Sequence, residues 1–275
     1  SDWWDKIENI SPPPREDSAI AIVGDIVVLF GGLGGGLMND TWTYNVRDAK
    51  WTQALSQEAP SPRFGSAMAG IWNENKVLLF GGQTANIFFS DTWMFDIEKS
   101  EWSIINSALG PSNRSYAVMT GFNGISNVVL YGGYENQLGR FCDTWIINTS
   151  TLQWSPSSAI TMPSARWGSA MANIITDDKI LLFGGGNPYP INETWIYDLS
   201  EDRWSSLVQI NPPPARTAHS MAPIGNKGEI ALFGGFNQDT DYNDTWIYNY
   251  SYNQWSQIFP VHSPPVNNQS YMTDF

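Results

Sequence analysis

Short apolar segments of four kinds follow one another along the chain, and the stretch from Ser66 to Ile105 shows each once. Ser66-Ala67-Met68-Ala69-Gly70-Ile71 is small and apolar. Lys76-Val77-Leu78-Leu79-Phe80 is an unbroken apolar run, the pattern of a strand covered on both faces. Thr92-Trp93-Met94-Phe95-Asp96 is β-branched and aromatic, whereas Glu101-Trp102-Ser103-Ile104-Ile105 alternates polar with apolar, as a half-exposed outer strand does. These segments are read as strands a, b, c and d. Asp96-Ile97-Glu98-Lys99-Ser100 supplies a polar c/d turn, and Pro60, Ser61 and Pro62 mark the link from d to the next a. No segment has helical periodicity, so the unit reads as a four-stranded antiparallel sheet and the chain as all-β.

The unit repeats. Gly-Gly pairs fall at Gly31-Gly32, Gly81-Gly82, Gly132-Gly133, Gly184-Gly185 and Gly234-Gly235, a period of 50 to 52 residues. Each is followed by Asp40-Thr41-Trp42, Asp91-Thr92-Trp93, Asp143-Thr144-Trp145, Glu193-Thr194-Trp195 or Asp244-Thr245-Trp246. Nine residues further on come Trp51, Trp102, Trp154, Trp204 and Trp255. A twisted sheet this small cannot cover both of its own faces, so the units must stack face to face about an axis, as the blades of a propeller do. Glycine at the end of strand b suits the crowding between blades. Ten of the 14 tryptophans occupy the two repeating positions, which assigns them to packing.

The Gly-Gly pair, the aromatic residue of strand c and the Trp of strand d, at this period, resemble Kelch repeats over nearly the whole chain. The resemblance implies one Kelch-type β-propeller domain across 1–275, with complete blades at 15–56, 63–107, 114–157, 166–208 and 216–259. Trp3 precedes Arg15 by 12 residues, the spacing that separates each of Trp51, Trp102, Trp154 and Trp204 from the next repeated arginine. Residues 1–14 therefore read as an isolated strand d. Asn268-Gln269-Ser270-Tyr271 echoes Asn113-Arg114-Ser115-Tyr116, and 264–275 reads as a strand a. The termini thus form a partial sixth blade without b and c strands. Three explanations stand side by side: a piece of a longer chain, a five-blade ring with both tails over the seam, or strands donated by another copy.

Charge narrows the partners. Against 27 acidic residues stand 14 Lys and Arg, a net charge of −13, so the chain lacks the basic stripe that nucleic acid requires and is repelled by acidic membrane surfaces. No apolar run approaches a membrane span, so no direct membrane insertion is expected, and Ser1-Asp2-Trp3-Trp4-Asp5 is not a signal peptide. A single cysteine, Cys142, excludes an intrachain disulfide.

Candidate binding groups lie between the strands. The b/c loops, 33–39, 83–90, 134–142, 186–192 and 236–243, vary while the strands do not, and all emerge on one face. They carry Phe88, Phe89, Tyr134, Phe141, Tyr189, Phe236 and Tyr242, a surface for a protein partner or for sugar rings, unless the rings tuck over blade edges. Arg15, Arg63, Arg114, Arg166 and Arg216 recur just before strand a. They read either as a scaffold that donates to loop carbonyls or, as the resemblance implies, as contacts for acidic peptides.

Asp239, Asp241 and Asn243 resemble the start of a calcium loop, but lack its sixth-position Gly and twelfth-position Glu. Asn-x-Ser/Thr sequons begin at Asn9, Asn39, Asn113, Asn148, Asn192, Asn243, Asn249 and Asn268, the signature of glycosylation outside the cell. Some Kelch-like propellers are copper-radical sugar oxidases or sialic-acid mutarotases. Here His219, His262 and Cys142 fall in separate parts of the chain, so no copper is expected. The expectation is a non-catalytic interaction module, extracellular or at the cell surface rather than cytoplasmic, that binds a protein or glycan through its b/c and d/a loops. The alternatives are a subunit that self-assembles by completing the partial blade and a carbohydrate-active enzyme built on a carboxylate pair.

Overall fold

A computed structural model of the chain describes residues 10–259. Those residues form five four-stranded antiparallel sheets, each with its strands in sequence order. Blade 1 comprises Ala19–Val23, Ile26–Leu33, Leu37–Asn45 and Lys50–Ala54. Blade 2 comprises Ala67–Ile71, Lys76–Phe80, Thr92–Asp96 and Glu101–Ile105, and blade 3 Val118–Gly121, Asn127–Tyr131, Thr144–Asn148 and Gln153–Pro156. Blade 4 comprises Ala170–Ile174, Lys179–Phe183, Thr194–Asp198 and Arg203–Leu207, and blade 5 Ser220–Ile224, Glu229–Phe233, Thr245–Asn249 and Gln254–Ile258. Both expected strands of the partial blade lie outside the described residues.

The core lies between blades. Strand b is covered on both faces, as its apolar run predicts: Val77, Leu78 and Leu79 are all fully buried. The strand-d tryptophans of blades 2 to 5 reach back to the preceding blade. Trp102 packs edge-on to Phe30 and donates from Nε1 to Thr41 Oγ1 at 2.8 Å, while Trp154 packs on Phe80 and donates to Thr92. Trp204 with Tyr131 and Thr144, and Trp255 with Phe183 and Thr194, repeat the contact. The tryptophans and the threonines of the Asp/Glu-Thr-Trp motif are thus two halves of one clasp, which explains why both recur at fixed spacing.

The Gly-Gly pair is a second clasp, in the opposite direction. Gly82 donates its N–H to the Arg114 carbonyl at 2.9 Å, and Gly32, Gly133 and Gly185 donate equally to Arg63, Arg166 and Arg216. Gly81 turns the chain at φ +65°, and a Cβ there would stand 2.5 Å from the Arg114 carbonyl oxygen. Only glycine permits that approach.

Two loops differ from the sequence reading. In blade 1, strands b and c extend through a bulge between Phe30 and Gly32, so most of the expected 33–39 loop is ladder and only a tight glycine turn remains. In blade 3 the 134–142 loop folds into its own small hairpin, Tyr134–Glu135 paired with Gly139–Arg140.

First strands pack between blades 1 and 2, 2 and 3, 3 and 4, and 4 and 5. Among the described residues no comparable packing joins blade 5 to blade 1. At that side Ile20 and Ile22 are 59% and 44% exposed, Ala222 is exposed, and among the described residues neither Trp51 nor Thr245 finds the clasp partner its counterparts have.

Candidate functional site

The repeated arginines close each blade from within. Arg63 donates from Nε to the Ser61 carbonyl, from one terminal nitrogen to the Gly81 carbonyl and Asp91, and from the other to Ser61 Oγ and Asp91. All five of its N–H groups are engaged. Arg114 is held in the same way by Ser112, Gly132 and Asp143. Arg15, Arg166 and Arg216 make the equivalent contacts with Asp40, Glu193 and Asp244. The same carboxylates accept from the neighbouring indoles of Trp42, Trp93, Trp145, Trp195 and Trp246.

Burial by itself would raise the carboxyl of Asp143. The hydrogen bond from Arg114, its charge and the bond from Trp145 outweigh burial and hold the pKa below the usual value. Arg63, Arg114, Arg166 and Arg216 are at most 1% exposed. Of the two readings of these arginines, this geometry fits the scaffold: a guanidinium whose donors are spent on its own blade has little left for a peptide.

Several loop aromatics serve the same frame. Phe89 lies 3.8 Å from the Arg63 guanidinium carbon, Phe141 lies 3.9 Å from that of Arg114, and Tyr242 lies 4.0 Å from that of Arg216. The remaining candidates are differently placed. Phe88 packs edge-on to Tyr134, Phe236 is half-buried at the axial opening, and Tyr189 is 62% exposed at its loop tip.

Asp239 and Asp241 belong to a turn organised by Asn237, whose Oδ1 accepts from the Asp239 and Thr240 amides. Among the described residues no three His, Cys, Asp or Glu side chains gather in a way that could hold a metal ion. Of the sequon asparagines, Asn39, Asn192 and Asn243 are exposed and Asn113 is half-buried. Asn148 and Asn249 use their Oδ1 atoms to accept amides of the c/d turns. Asn9 and Asn268 lie outside the described residues, as does His262.

The structure instead assembles a site around positions the motif reading passed over. Two residues after each repeated arginine stand Asp17, Gly65, Tyr116, Gly168 and Ala218, and all five have left-handed backbones. In two blades glycine fills the position without strain; Asp17 and Tyr116 adopt it at φ 52° and 51° and carry their side chains to the axis. The Tyr116 hydroxyl donates to Asp17 Oδ2 at 3.0 Å, and its ring stands edge-on to Phe64 and Trp167. Burial, then the adjacent Asp17, drives the Tyr116 hydroxyl pKa up. Burial also raises Asp17, with the Tyr116 bond drawing it partly back.

Two cavities share these walls. An axial funnel of about 340 Å³ includes Glu16, Asp17, Ser66, Tyr116, Trp167 and His219. Beside it, at the loop face, a cup of about 430 Å³ is lined by Leu33, Leu37, Phe64, Tyr116, Tyr134 and Trp167, with Arg140 at its wall.

His219 occupies a column where blades 1, 2 and 4 have serine. It is 6% exposed, stands edge-on to Phe183, and neither ring nitrogen completes a hydrogen bond. Burial, reinforced by the Arg216 charge, lowers its pKa to about 3. The unfolded imidazole titrates near pH 6.5, so unfolding takes up a proton between about pH 6.5 and 3. Stability falls as pH drops through that window, by about 1.4 kcal/mol per unit from this group. His219→Ser should flatten the pH dependence of thermal unfolding there by that slope; parallel profiles would show that the folded imidazole protonates freely.

Comparison with known proteins agrees with this geometry. A family model described as the KLHDC2/KLHL20/DRC7 Kelch-repeats domain matches residues 2–133 and 122–273. The flagellar outer-arm dynein alpha chain of Chlamydomonas reinhardtii is 26% identical over 64% of this chain and 4% of its own length. The Arabidopsis thaliana acyl-CoA-binding domain-containing protein 5 is 26% identical over 69% of this chain and 30% of its own. An Arabidopsis thaliana F-box/kelch-repeat protein is 30% identical over 63% of this chain and 39% of its own. The chain therefore spans well under half of these relatives. Repeats that bind one another through matched glycine and tryptophan clasps, and a family match that runs across both halves, lead to one statement: the chain belongs to the Kelch-repeat family of β-propellers.

Proposed function

We propose that the chain is a protein-interaction module that acts without catalysis and recognises its partner at the loop face, over the cup and the axial funnel. The observation that carries this reading is the cup itself. It is concave and mainly apolar, and is walled by aromatic residues that come from blades 2, 3 and 4. A protein partner fits better than a glycan, because Phe64, Tyr116 and Trp167 meet edge to face and leave no flat platform for a sugar ring. Kinship to longer chains, one of them named for an F-box beside its kelch repeat, suits a module that recruits.

Trp167→Ala should abolish capture of a partner from the source cells while leaving the unfolding temperature within a few degrees. Ser103→Glu on an outer strand should change neither. Capture that survives Trp167→Ala and Tyr189→Ser together would refute the reading.

A second reading, assembly, is favoured by the open side of the blade array. In this reading a further Kelch-type blade seats between blade 5 and blade 1, covers Ile20 and Ile22, and completes the clasps of Trp51 and Thr245. Sedimentation at micromolar concentration should show association that the Ile20→Glu, Ile22→Glu pair removes. A wild-type chain that sediments as a monomer would dismiss assembly between copies.

A further inference from the structure

Charge on the wall of the axial funnel does not balance among the described residues. Glu16 and Asp17 both line it, and neither makes an ion pair there. Arg15, the one cationic side chain among the described residues of that wall, spends its fork on both oxygens of Asp40 and on the Gly31 carbonyl. Asp17 is met by a neutral donor, the Tyr116 hydroxyl, and not by a charge. Burial raises its carboxyl, the Tyr116 bond draws it partly back, and the charge of Glu16 raises it again. A cation beside the two carboxylates would relieve that repulsion.

Blade 5 adds an acceptor of a different kind. His219 is 6% exposed and lines the same funnel, and both of its ring nitrogens lack a partner among the described residues. At neutral pH its imidazole is uncharged, so one nitrogen accepts a hydrogen bond, and a buried acceptor is costly to leave unmade. Tyr116, Trp167 and Phe236 supply aromatic walls, which attract a cation and cover its carbon stem.

From this arrangement we infer that the axial funnel binds an organic cation rich in N–H donors, an alkylammonium or guanidinium group, with Glu16 and Asp17 taking its charge and His219 accepting one of its N–H groups. The inference goes beyond the proposed function, because it concerns one small charged group in the funnel and not the occupant of the cup. A bare metal ion suits these residues less. They do not gather closely enough to ligate one, whereas a group with several N–H donors can reach acceptors that stand apart.

Ligand-observed NMR tests this by titrating the full chain with n-butylammonium, n-butylguanidinium and n-butylurea, the last a neutral counterpart of the guanidinium. The two cations should bind saturably, and the urea should not. Asp17→Asn keeps an acceptor for Tyr116 and a side chain that tolerates the left-handed backbone, so the unfolding temperature should not fall, while both cations should weaken by about tenfold or more. His219→Phe keeps a ring but removes the acceptor, and should weaken them about threefold. Leu37→Ser, on the wall of the cup and not of the funnel, should leave both unchanged. Blocked tripeptides with a central lysine or arginine identify the source: tighter binding than the matching butyl cation assigns the group to a polypeptide side chain, and weaker binding assigns it to a free amine or guanidine. No saturable binding of either cation, equal binding of the urea, or binding indifferent to Asp17→Asn overturns the inference. Partner capture that Trp167→Ala removes, in a chain that binds neither cation, would overturn it alone and leave the loop-face reading standing.

Discussion

Arg63→Ala is expected to lower stability by about 3–5 kcal/mol, the cost of removing one partner from a buried ion pair. In a chain of this size that corresponds to a fall of about 10 °C in unfolding temperature. Several terms combine. The variant deprives Asp91 of both charge-assisted bonds and leaves the Gly81 and Ser61 carbonyls without their donor. It also opens a void beneath Phe89, whose ring covers the guanidinium. Arg63→Lys retains the charge but not the fork, so it should recover less than half of the loss. Asp91→Asn, at a partner only 25% exposed, should be milder than Arg63→Ala because the arginine keeps its carbonyl acceptors. Thermal unfolding of the three variants checks the order; an Arg63→Ala chain as stable as the wild type would return the arginines to the ligand surface.

The second large effect is expected at Gly81. An alanine there must take a left-handed backbone and place its methyl 2.5 Å from the Arg114 carbonyl, which real carbon atoms never do. The chain can relieve this only by moving blade 3 away, which sacrifices the Gly82 hydrogen bond to the same carbonyl. Overpacking, left-handed strain and the lost bond together come to about 3–5 kcal/mol. Gly124→Ala is the matched control. Gly124 also has a positive φ, of 83°, but a Cβ there meets nothing within 4 Å, so about 1 kcal/mol is expected. Equal losses at the two positions would show that backbone conformation, and not contact between blades, keeps the motif glycine.

Much of the fold is legible in the sequence, and the reason is visible in blade 2. Strands b, c and d run Lys76–Phe80, Thr92–Asp96 and Glu101–Ile105, where the apolar pattern puts them. Period, glycines and tryptophans all mark the same boundaries, because each is one side of a contact that every junction repeats. The candidate site is less legible for the converse reason. Tyr116 and Asp17 matter because they depart from glycine in a column that the strand pattern does not mark. The partnership between repeated arginines and the acids of Asp/Glu-Thr-Trp was within reach: both columns recur once per unit, with opposite charge.

The clasps also impose an order on synthesis. The amide of Gly82 waits for a carbonyl 32 residues further along, and the hydroxyl of Thr92 for an indole 62 residues away. A nascent chain leaving the ribosome can therefore finish no blade until much of the next has emerged, so each unit acts as the template on which its successor sets.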